Sequence, residues 1–220
     1  MTKQLGTFKR EGALFDRLGF LLPVVNAIDR PLYRLLLENS RLQDAHCILE
    51  VGAGTGYLAE AALSQWLSAD ATYVATEVSA RLVRRVAARL AHFGARASAL
   101  LVDRAVIAAL PSEHFDRVLC TYVLDCMSDD EIQWYLGEMH RVLRPGGLLC
   151  LLTISRGHGA LEKAVMSGWR LLHRLDPRMT GLGRPISMVD FVRMPAWSEH
   201  CFLHASRLGM ASDLTIASRH

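Results

Sequence analysis

Residues 48–63, ILEVGAGTGYLAEAAL, decide the fold of this chain. An apolar run that contains Glu50 leads into three glycines at alternate positions, and a helical pattern of apolar residues follows them. Glycine adopts positive φ without strain and has no Cβ, so it suits a sharp turn and lets a ligand approach the backbone. The stretch therefore predicts a buried strand, a glycine-rich turn and a helix. The turn is either a ligand site or only a tight connection.

Around this stretch, short apolar runs alternate with amphipathic segments. The runs are CILEV at 47–51, TYVATE at 72–77, ASALLVD at 97–103, FDRVLCTYV at 115–123 and GLLCLLTIS at 147–155. Such runs are typical of parallel strands that are buried on both faces of a sheet. The last twenty residues read as two strands about Gly209, close enough to pair antiparallel. The pattern predicts an α/β, Rossmann-like, doubly wound sheet of seven strands, with helices on both faces.

Sequence signals for an N-cap predict where two of the helices begin. Ser79 precedes a segment that places Leu82, Val86 and Leu90 on one face. Ser128 and Glu131 have the spacing of a capping box, and an apolar stripe from Ile132 to Val142 follows them. The RPGG sequence at 144–147 is expected to end that helix and to lead into the fifth strand.

Composition narrows the classes of protein. The chain has 220 residues, of which 51% are hydrophobic and 21% charged, and this balance predicts one globular domain. The net charge of +3 gives no basis for a nucleic-acid partner. No apolar stretch is long enough for a membrane span. The five cysteines form no CxxC pair, so we expect buried thiols in a cytoplasmic protein, with no disulfide and no metal site.

The glycine spacing distinguishes this turn from a dinucleotide fingerprint. That fingerprint is G-x-G-x-x-G, whereas Gly52, Gly54 and Gly56 form G-x-G-x-G after an acid. The sequence EVGAGTG at 50–56 resembles the first motif of the class I methyltransferases that use S-adenosylmethionine (SAM). SAM carries a positively charged sulfonium and an ammonium group. A nearby carboxylate would attract these groups, whereas it would repel the pyrophosphate of a dinucleotide.

The resemblance continues in order over residues 46–155. It implies that Glu77 binds the ribose hydroxyls, that Asp103 binds the adenine amino group, and that Thr121 lines the cofactor. The segment HRVLRPGGLLCLLTIS at 140–155 is also similar to the family. The residues assigned to SAM in this way are Glu50, Gly52, Ala53, Gly54, Thr55, Gly56, Glu77, Val78, Asp103, Arg104 and Thr121.

Structural roles remain open for several of these residues. Asp103 could be a helix N-cap, Thr121 and Tyr122 could be strand-end packing, and Glu50 could bind backbone amides of the turn. Two side chains near the predicted crevice are candidates for catalysis. Tyr122 follows the fourth strand, and His158, in a loop after the fifth strand, could accept a proton near neutral pH. An exposed loop histidine with no catalytic role is the alternative.

The chain is expected to be one methyltransferase domain with four regions. Residues 10–43 form an N-terminal helical cap, 46–155 the SAM-binding core, 156–195 an acceptor-side insertion, and 199–219 the terminal strand pair. Phe15 and Asp16 resemble a segment that folds over the cofactor in small-molecule methyltransferases, although Phe15 lacks the hydroxyl found there.

The predicted reaction is methyl transfer from SAM to a small, partly apolar molecule. The motifs of nucleic-acid and protein arginine methyltransferases are missing, and the chain resembles the group that includes quinone and phospholipid methyltransferases. Two alternatives remain, a SAM-fold enzyme with a non-methylating reaction such as cyclisation, and a non-catalytic SAM-binding subunit of a partner enzyme. The acceptor, its attacking atom and the oligomeric state cannot be read from the sequence.

Overall fold

The computed structural model describes residues 22–177, 183–192, 196–207 and 210–220. Within them, one seven-stranded sheet has the order β3-β2-β1-β4-β5-β7-β6. Its strands are β1 (Cys47–Val51), β2 (Thr72–Glu77), β3 (Ala97–Leu101), β4 (Phe115–Thr121), β5 (Leu143–Ile154), β6 (Trp197–Arg207) and β7 (Met210–Arg219). The first five strands are parallel, and β7 pairs antiparallel with both β5 and β6. The predicted fold class is confirmed.

Helices connect these strands. They are α1 (Leu22–Asn39), α2 (Tyr57–Gln65), α3 (Ala80–Leu90), α4 (Arg104–Ala109), α5 (Asp129–Val142), α6 (Ala160–Leu175) and α7 (Val189–Val192). Short 3-10 turns lie at Leu42–Asp44, Ala91–Arg96 and Leu124–Cys126. No helix in the described part of the chain has the length and apolar character that crossing a membrane requires.

The hydrophobic core lies on both faces of the sheet. Alternate side chains of a strand point to opposite faces, so Ile48 belongs to one buried cluster and Leu49 to the other. The first cluster includes Leu36 of α1, and the second includes Ile132 of α5. Both faces of β1 are therefore covered, which explains why the sequence of this strand is almost continuously apolar.

The order of the strands positions the site. β1 pairs with β2 on one side and with β4 on the other. Successive strands are therefore added in one direction from β1 to β3 and in the opposite direction from β4 onward, so the strand order reverses at the β1/β4 boundary. In an open α/β sheet, ligands bind outside the carboxyl ends of the strands at such a switch point. The glycine turn lies there, between the end of β1 and the start of α2.

The predicted helix ends are confirmed. The Ser79 hydroxyl accepts a hydrogen bond from the Leu82 N–H at 3.1 Å, and Leu82, Val86 and Leu90 are buried. Ser128 and Glu131 form both hydrogen bonds of the capping box. The apolar stripe that follows is buried at Ile132, Tyr135, Leu136, Met139 and Val142.

Two expectations for the strands were wrong. β3 is not buried on both faces, because it is the edge strand, and Leu100 and Leu101 are 37% and 51% exposed. The helix α5 ends at Val142, just before RPGG, as predicted, but β5 already begins at Leu143 and therefore contains RPGG. The register to β4 shifts from Phe115↔Leu143 to Arg117↔Leu148, so RPGG is an irregular excursion within the strand.

Part of the expected cap lies outside the described residues. This applies to Phe15 and Asp16, and to the rest of the segment before residue 22. Residues 178–182, 193–195 and 208–209 also lie outside the described part of the chain. The domain boundaries remain predictions.

Candidate functional site

A cavity opens at the carboxyl ends of β1, β2 and β4. Four groups of residues line it. They are Glu50–Thr55 at the end of β1 and in the glycine turn, Glu77 and Val78 at the end of β2, Thr121–Val123 at the end of β4, and the tyrosines Tyr33, Tyr57 and Tyr135. Leu58, Leu82, Val102, Cys126 and Met127 complete the lining. The structure thus brings most of the predicted site residues together in one place.

The three glycines of the turn all have positive φ but face different surroundings. A Cβ built on Gly52 would lie 2.3 Å from Cγ2 of Val123, and a Cβ on Gly56 would lie 3.3 Å from side-chain atoms of Val86 and Arg89. A Cβ on Gly54, where φ is +57°, would meet no atom within 4 Å. Gly52 and Gly56 are therefore packing glycines, whereas Gly54 borders open space at the cavity.

Backbone hydrogen bonds hold the turn in place. The N–H groups of Gly52 and Ala53 both donate to the Thr76 carbonyl, at 3.0 Å each. The Gly56 N–H donates to the Ala53 carbonyl at 2.8 Å, and Arg89 Nε donates to the Thr55 carbonyl at 2.9 Å. The turn is thereby fixed to the end of β2 and to α3.

The Glu77 carboxylate joins this turn to the end of β2. Its Oε1 accepts from the Gly54 N–H at 2.9 Å, and its Oε2 accepts from the Val78 N–H at 2.8 Å. Glu77 is 8% exposed and lines the cavity. The bond to Gly54 is not visible in the sequence, and it means that Glu77 supports the turn as well as facing the cavity.

Glu50 is a buried acid beside the cavity. It is 1% exposed, and one of its oxygens accepts a hydrogen bond from the Tyr73 hydroxyl at 2.9 Å. Burial raises the pKa of Glu50 to about 7, the Tyr73 hydrogen bond lowers it, and the charge of Glu77 raises it further. Because a cation stabilises a carboxylate, a positively charged ligand in the cavity would favour the ionised form.

Tyr122 and three other tyrosines contribute aromatic rings to the lining of the cavity. Tyr33 and Tyr57 have ring centroids 6.1 Å apart, and the Tyr33 hydroxyl is hydrogen-bonded to Thr121. The Tyr122 hydroxyl lies 3.1 Å from the Ser212 hydroxyl. Burial raises the pKa of Tyr33 and of Tyr122 above the usual value. Both phenols are therefore neutral at physiological pH, when they can donate hydrogen bonds but cannot act as bases.

Three predicted cofactor residues do not belong to the lining of the cavity: Gly56, which packs against α3, and Asp103 and Arg104. Asp103 is exposed, and its Oδ1 accepts from the Val106 N–H at 2.9 Å, which is the N-cap role considered for it above. The guanidinium of Arg104 lies over the Trp134 ring, 4.2 Å from its centroid. Val102, directly before them, lines the cavity instead.

His158, the second catalytic candidate, does not line the cavity. Its side chain is 56% exposed, and its Nε2 lies 3.5 Å from Oδ1 of Asp213 on β7. Its ring centroid is 4.2 Å from that of His204. This geometry gives no support to His158 as a proton acceptor at the reacting centre. It places His158 next to Asp213 and His204 instead.

The sequence analysis missed several lining residues. Tyr33 lies on α1, where the sequence showed only a helical pattern. Its hydrogen bond to Thr121 could not be predicted, because the two residues are 88 positions apart in the chain. Tyr57 follows the glycines directly, so its position in the sequence was a usable signal. Cys126 and Met127 follow the fourth strand, as Tyr122 does, and the same argument could have included them.

A switch-point cavity, a G-x-G-x-G turn, a carboxylate after β2 and an antiparallel terminal strand pair together define the class I SAM-dependent methyltransferase fold. Comparisons with known proteins agree. Residues 48–147 match the family described as methyltransferase domain. The chain is 27% identical over 180 residues to the ubiquinone/menaquinone biosynthesis C-methyltransferase UbiE of Cupriavidus necator, an alignment that covers 81% of this chain and 72% of the relative.

Solved structures share the fold at low sequence identity. The N-methyltransferase NodS from Bradyrhizobium japonicum, in complex with S-adenosyl-L-homocysteine, aligns with a TM-score of 0.64 at 18% identity over 87% of each chain. The [4+2]-cyclase SpnF aligns with a TM-score of 0.70 at 18% identity over 95% of this chain and 96% of its own. The family match, the relatives and the shared fold support a class I SAM-dependent methyltransferase that resembles the quinone methyltransferases.

Proposed function

We propose that the cavity binds SAM against the glycine turn and that the enzyme methylates a small, partly apolar acceptor held by the tyrosines. The observation that carries this proposal is the open space at Gly54, bordered by the carboxylates of Glu50 and Glu77. A ligand there can approach the backbone closely while two acids face it. SAM fits this arrangement because it has hydroxyl groups and two positive charges.

Each acid has a separate proposed task. Glu50 lies at the end of β1, where its charge would attract the cationic part of SAM. Glu77 would accept hydrogen bonds from the ribose hydroxyls while continuing to hold the turn. The adenine would lie near Val102, and Asp103 and Arg104 stay predicted contacts because they follow that residue directly.

When bound, SAM supplies an activated methyl group on a sulfonium, and its transfer is a direct displacement. The protein therefore has to align the acceptor and to exclude water. Tyr33 and Tyr122 can donate hydrogen bonds to an oxygen of the acceptor, since both are neutral and line the cavity.

The residues that line the cavity also indicate the kind of acceptor. Apart from the carboxylates of Glu50 and Glu77 and the thiol of Cys126, the described lining holds no group that could serve as a base near neutral pH. An acceptor that ionises readily by itself, such as an acidic phenol, needs little help from a base. The relatives' C-methyltransferase name is consistent with such a ring, which reacts at carbon once its hydroxyl has ionised.

The test combines binding and turnover. In calorimetric titrations SAM and S-adenosylhomocysteine should bind, and nicotinamide dinucleotides should give no signal. Tight binding of NAD without a response to SAM would overturn the proposal. A panel of hydroquinones, phenols and aliphatic amines should then show methylated product and S-adenosylhomocysteine in equal amounts for the ring compounds. Conversion of an acceptor without release of S-adenosylhomocysteine would favour the non-methylating alternative.

Two variants separate the catalytic candidates. Tyr122→Phe removes a hydroxyl from the cavity and should lower kcat by about tenfold, the loss expected for one hydrogen bond, while SAM affinity is retained. His158→Ala alters a residue outside the lining and should leave kcat within about twofold. The reverse result would restore His158 as the proton acceptor that the sequence indicated.

A further inference from the structure

Three side chains outside the cavity converge on one point. We call His158, His204 and Asp213 the His–Asp cluster. Oδ1 of Asp213 lies 2.7 Å from Nδ1 of His204 and 3.5 Å from Nε2 of His158. One potential ligand atom from each of the three residues lies within 4.8 Å of the others. Asp213 is buried, His204 is partly buried and His158 is exposed, so the cluster has one open side.

The fold brings these residues together from distant parts of the chain. His204 and Asp213 are direct cross-strand partners on β6 and β7. His158 follows β5 in the loop that leads to α6, and β7 pairs with β5. The cluster therefore lies at the end of the sheet where β5 finishes, and its three members belong to three separate segments.

A fourth residue holds the two histidines in position. Oε2 of Glu162 accepts from the backbone N–H groups of His158 and Gly159, at 2.9 Å and 3.1 Å, and it lies 3.0 Å from Nε2 of His204. Because Nε2 of His204 lies against Glu162, Nδ1 of the same ring is directed to Asp213, 2.7 Å from its Oδ1.

A positive charge is stabilised at the centre of the cluster, because two ring nitrogens converge on one carboxylate oxygen. If Nε2 of His204 donates to Glu162, a neutral His204 ring presents a lone pair to Asp213 2.7 Å away, and these two acceptors repel each other. A proton on Nδ1 removes that conflict at His204, and His158 can donate its own Nε2–H to the same oxygen. A metal ion uses all three atoms.

We propose that His158, His204 and Asp213 bind a divalent first-row transition metal ion, with Glu162 orienting His204 from behind. Two imidazoles and one carboxylate suit zinc and its neighbours better than they suit calcium or magnesium. A carboxylate that accepts from the distal nitrogen of a metal-bound histidine is the usual outer partner of such ligands. The exposed side of the cluster leaves room for water as a further ligand.

The distances fit this ion with a small adjustment. Ligands bound tetrahedrally to zinc at about 2.1 Å lie about 3.4 Å from one another. The Asp213–His158 separation of 3.5 Å already matches that value, and the Asp213–His204 separation of 2.7 Å would have to widen.

The experiment uses the full chain freed of metal with a chelator and then titrated with zinc alone. We expect one ion per chain, with proton release near pH 7, and a visible Co²⁺ spectrum when cobalt replaces zinc. His204→Ala should weaken zinc affinity by at least about 100-fold and Glu162→Gln by about 10-fold, as for a ligand and an outer partner. His158→Ala should weaken it by at least 10-fold.

His46→Ala is the matched control, because His46 also pairs with a carboxylate, Asp70 at 3.2 Å, but without a second histidine. Its zinc affinity should equal that of the unaltered chain. Cys47 Sγ lies 3.4 Å from Nε2 of His114, so Cys47→Ser is included to exclude zinc bound there. Absence of one-to-one binding, or a zinc affinity of His158→Ala and His204→Ala equal to that of the unaltered chain, would overturn the proposal and leave a protonated His204 between two carboxylates.

Discussion

At the scale of the residue, Gly54 differs from its two neighbours in the turn. Its positive φ strains any other residue, but only at Gly54 does an added side chain enter open space at the cavity. Gly54→Val should therefore almost abolish SAM binding in folded protein. Gly146→Val is the control, because Gly146 also has positive φ (+75°) with no atom within 4 Å of an added Cβ, yet lies in the RPGG excursion.

Both valine variants should melt at lower temperatures, and calorimetry on the folded proteins separates strain from exclusion of the ligand. Gly146→Val should bind SAM normally. If folded Gly54→Val also binds SAM with unchanged affinity, the middle glycine has only a conformational role.

Glu77 combines a structural and a proposed binding role. Glu77→Ala removes the acceptor of the Gly54 N–H and the proposed ribose acceptor, and charge-assisted bonds of this kind contribute about 1.5–3 kcal/mol each. We expect SAM affinity to fall by about tenfold or more. Glu77→Gln keeps one oxygen for the turn, so its melting temperature should lie between those of the Ala variant and the unaltered chain. Unchanged SAM affinity in Glu77→Ala would remove this residue from the site.

The raised pKa of Glu50 predicts a pH dependence of binding. In the free protein its pKa is about 7, and the cationic ligand should lower it, so SAM binding releases a proton when the pH is below that value. SAM affinity should rise with pH up to about 7 and then level off. Titrations from pH 5.5 to 8.5 test this prediction.

Glu50→Gln is the control for the titration of SAM itself, whose amino group also changes charge near this range. The variant should bind SAM more weakly at pH 8 and should lose the rise below pH 7. An identical pH profile in both proteins would show that Glu50 keeps one protonation state.

At the scale of the element, the helix ends were predictable because their signals are local. Ser79 and Ser128 act within three residues of their own positions, and both predicted caps are present. The exposure of β3 and the early start of β5 depend on neighbours distant in sequence. Apolar composition cannot tell an edge strand from a central one. The role of Asp103 was ambiguous for a related reason. An acid directly after a strand can either cap the next helix or bind a ligand, and the sequence looks the same in both cases.

The capping box of α5 gives a prediction at this scale. Ser128→Ala should lower the free energy of unfolding by about 1 kcal/mol, because the Ser128 hydroxyl accepts from the Glu131 N–H. For a domain of this size the melting temperature should fall by about 2–4 °C. Ser167→Ala, at an exposed position inside α6, is the control and should cause no loss. Equal stability of the two variants would contradict a stabilising role for the box.

At the scale of the whole molecule, the sequence located the cofactor side better than the acceptor side. The glycine turn, Glu50 and Glu77 lie within thirty residues and follow two consecutive strands, so their meeting could be deduced from the topology. Tyr33 and Ser212 reach Thr121 and Tyr122 from opposite ends of the chain. His158 was noticed for its loop, but its partners on β6 and β7 became visible only when the terminal strands were placed.

The cofactor cavity and the His–Asp cluster should respond separately to their ligands. Hydrogen exchange measured by mass spectrometry can follow both in the full chain, because ligand binding slows the opening of the segments it stabilises. SAM should protect peptides that cover 50–58, 76–80 and 121–127, which border the cavity. Zinc should instead protect 156–164 and 203–214, which hold the cluster and Glu162. Protection of the first set by zinc, or of only the second set by SAM, would mean that the assignment of the two ligands is wrong.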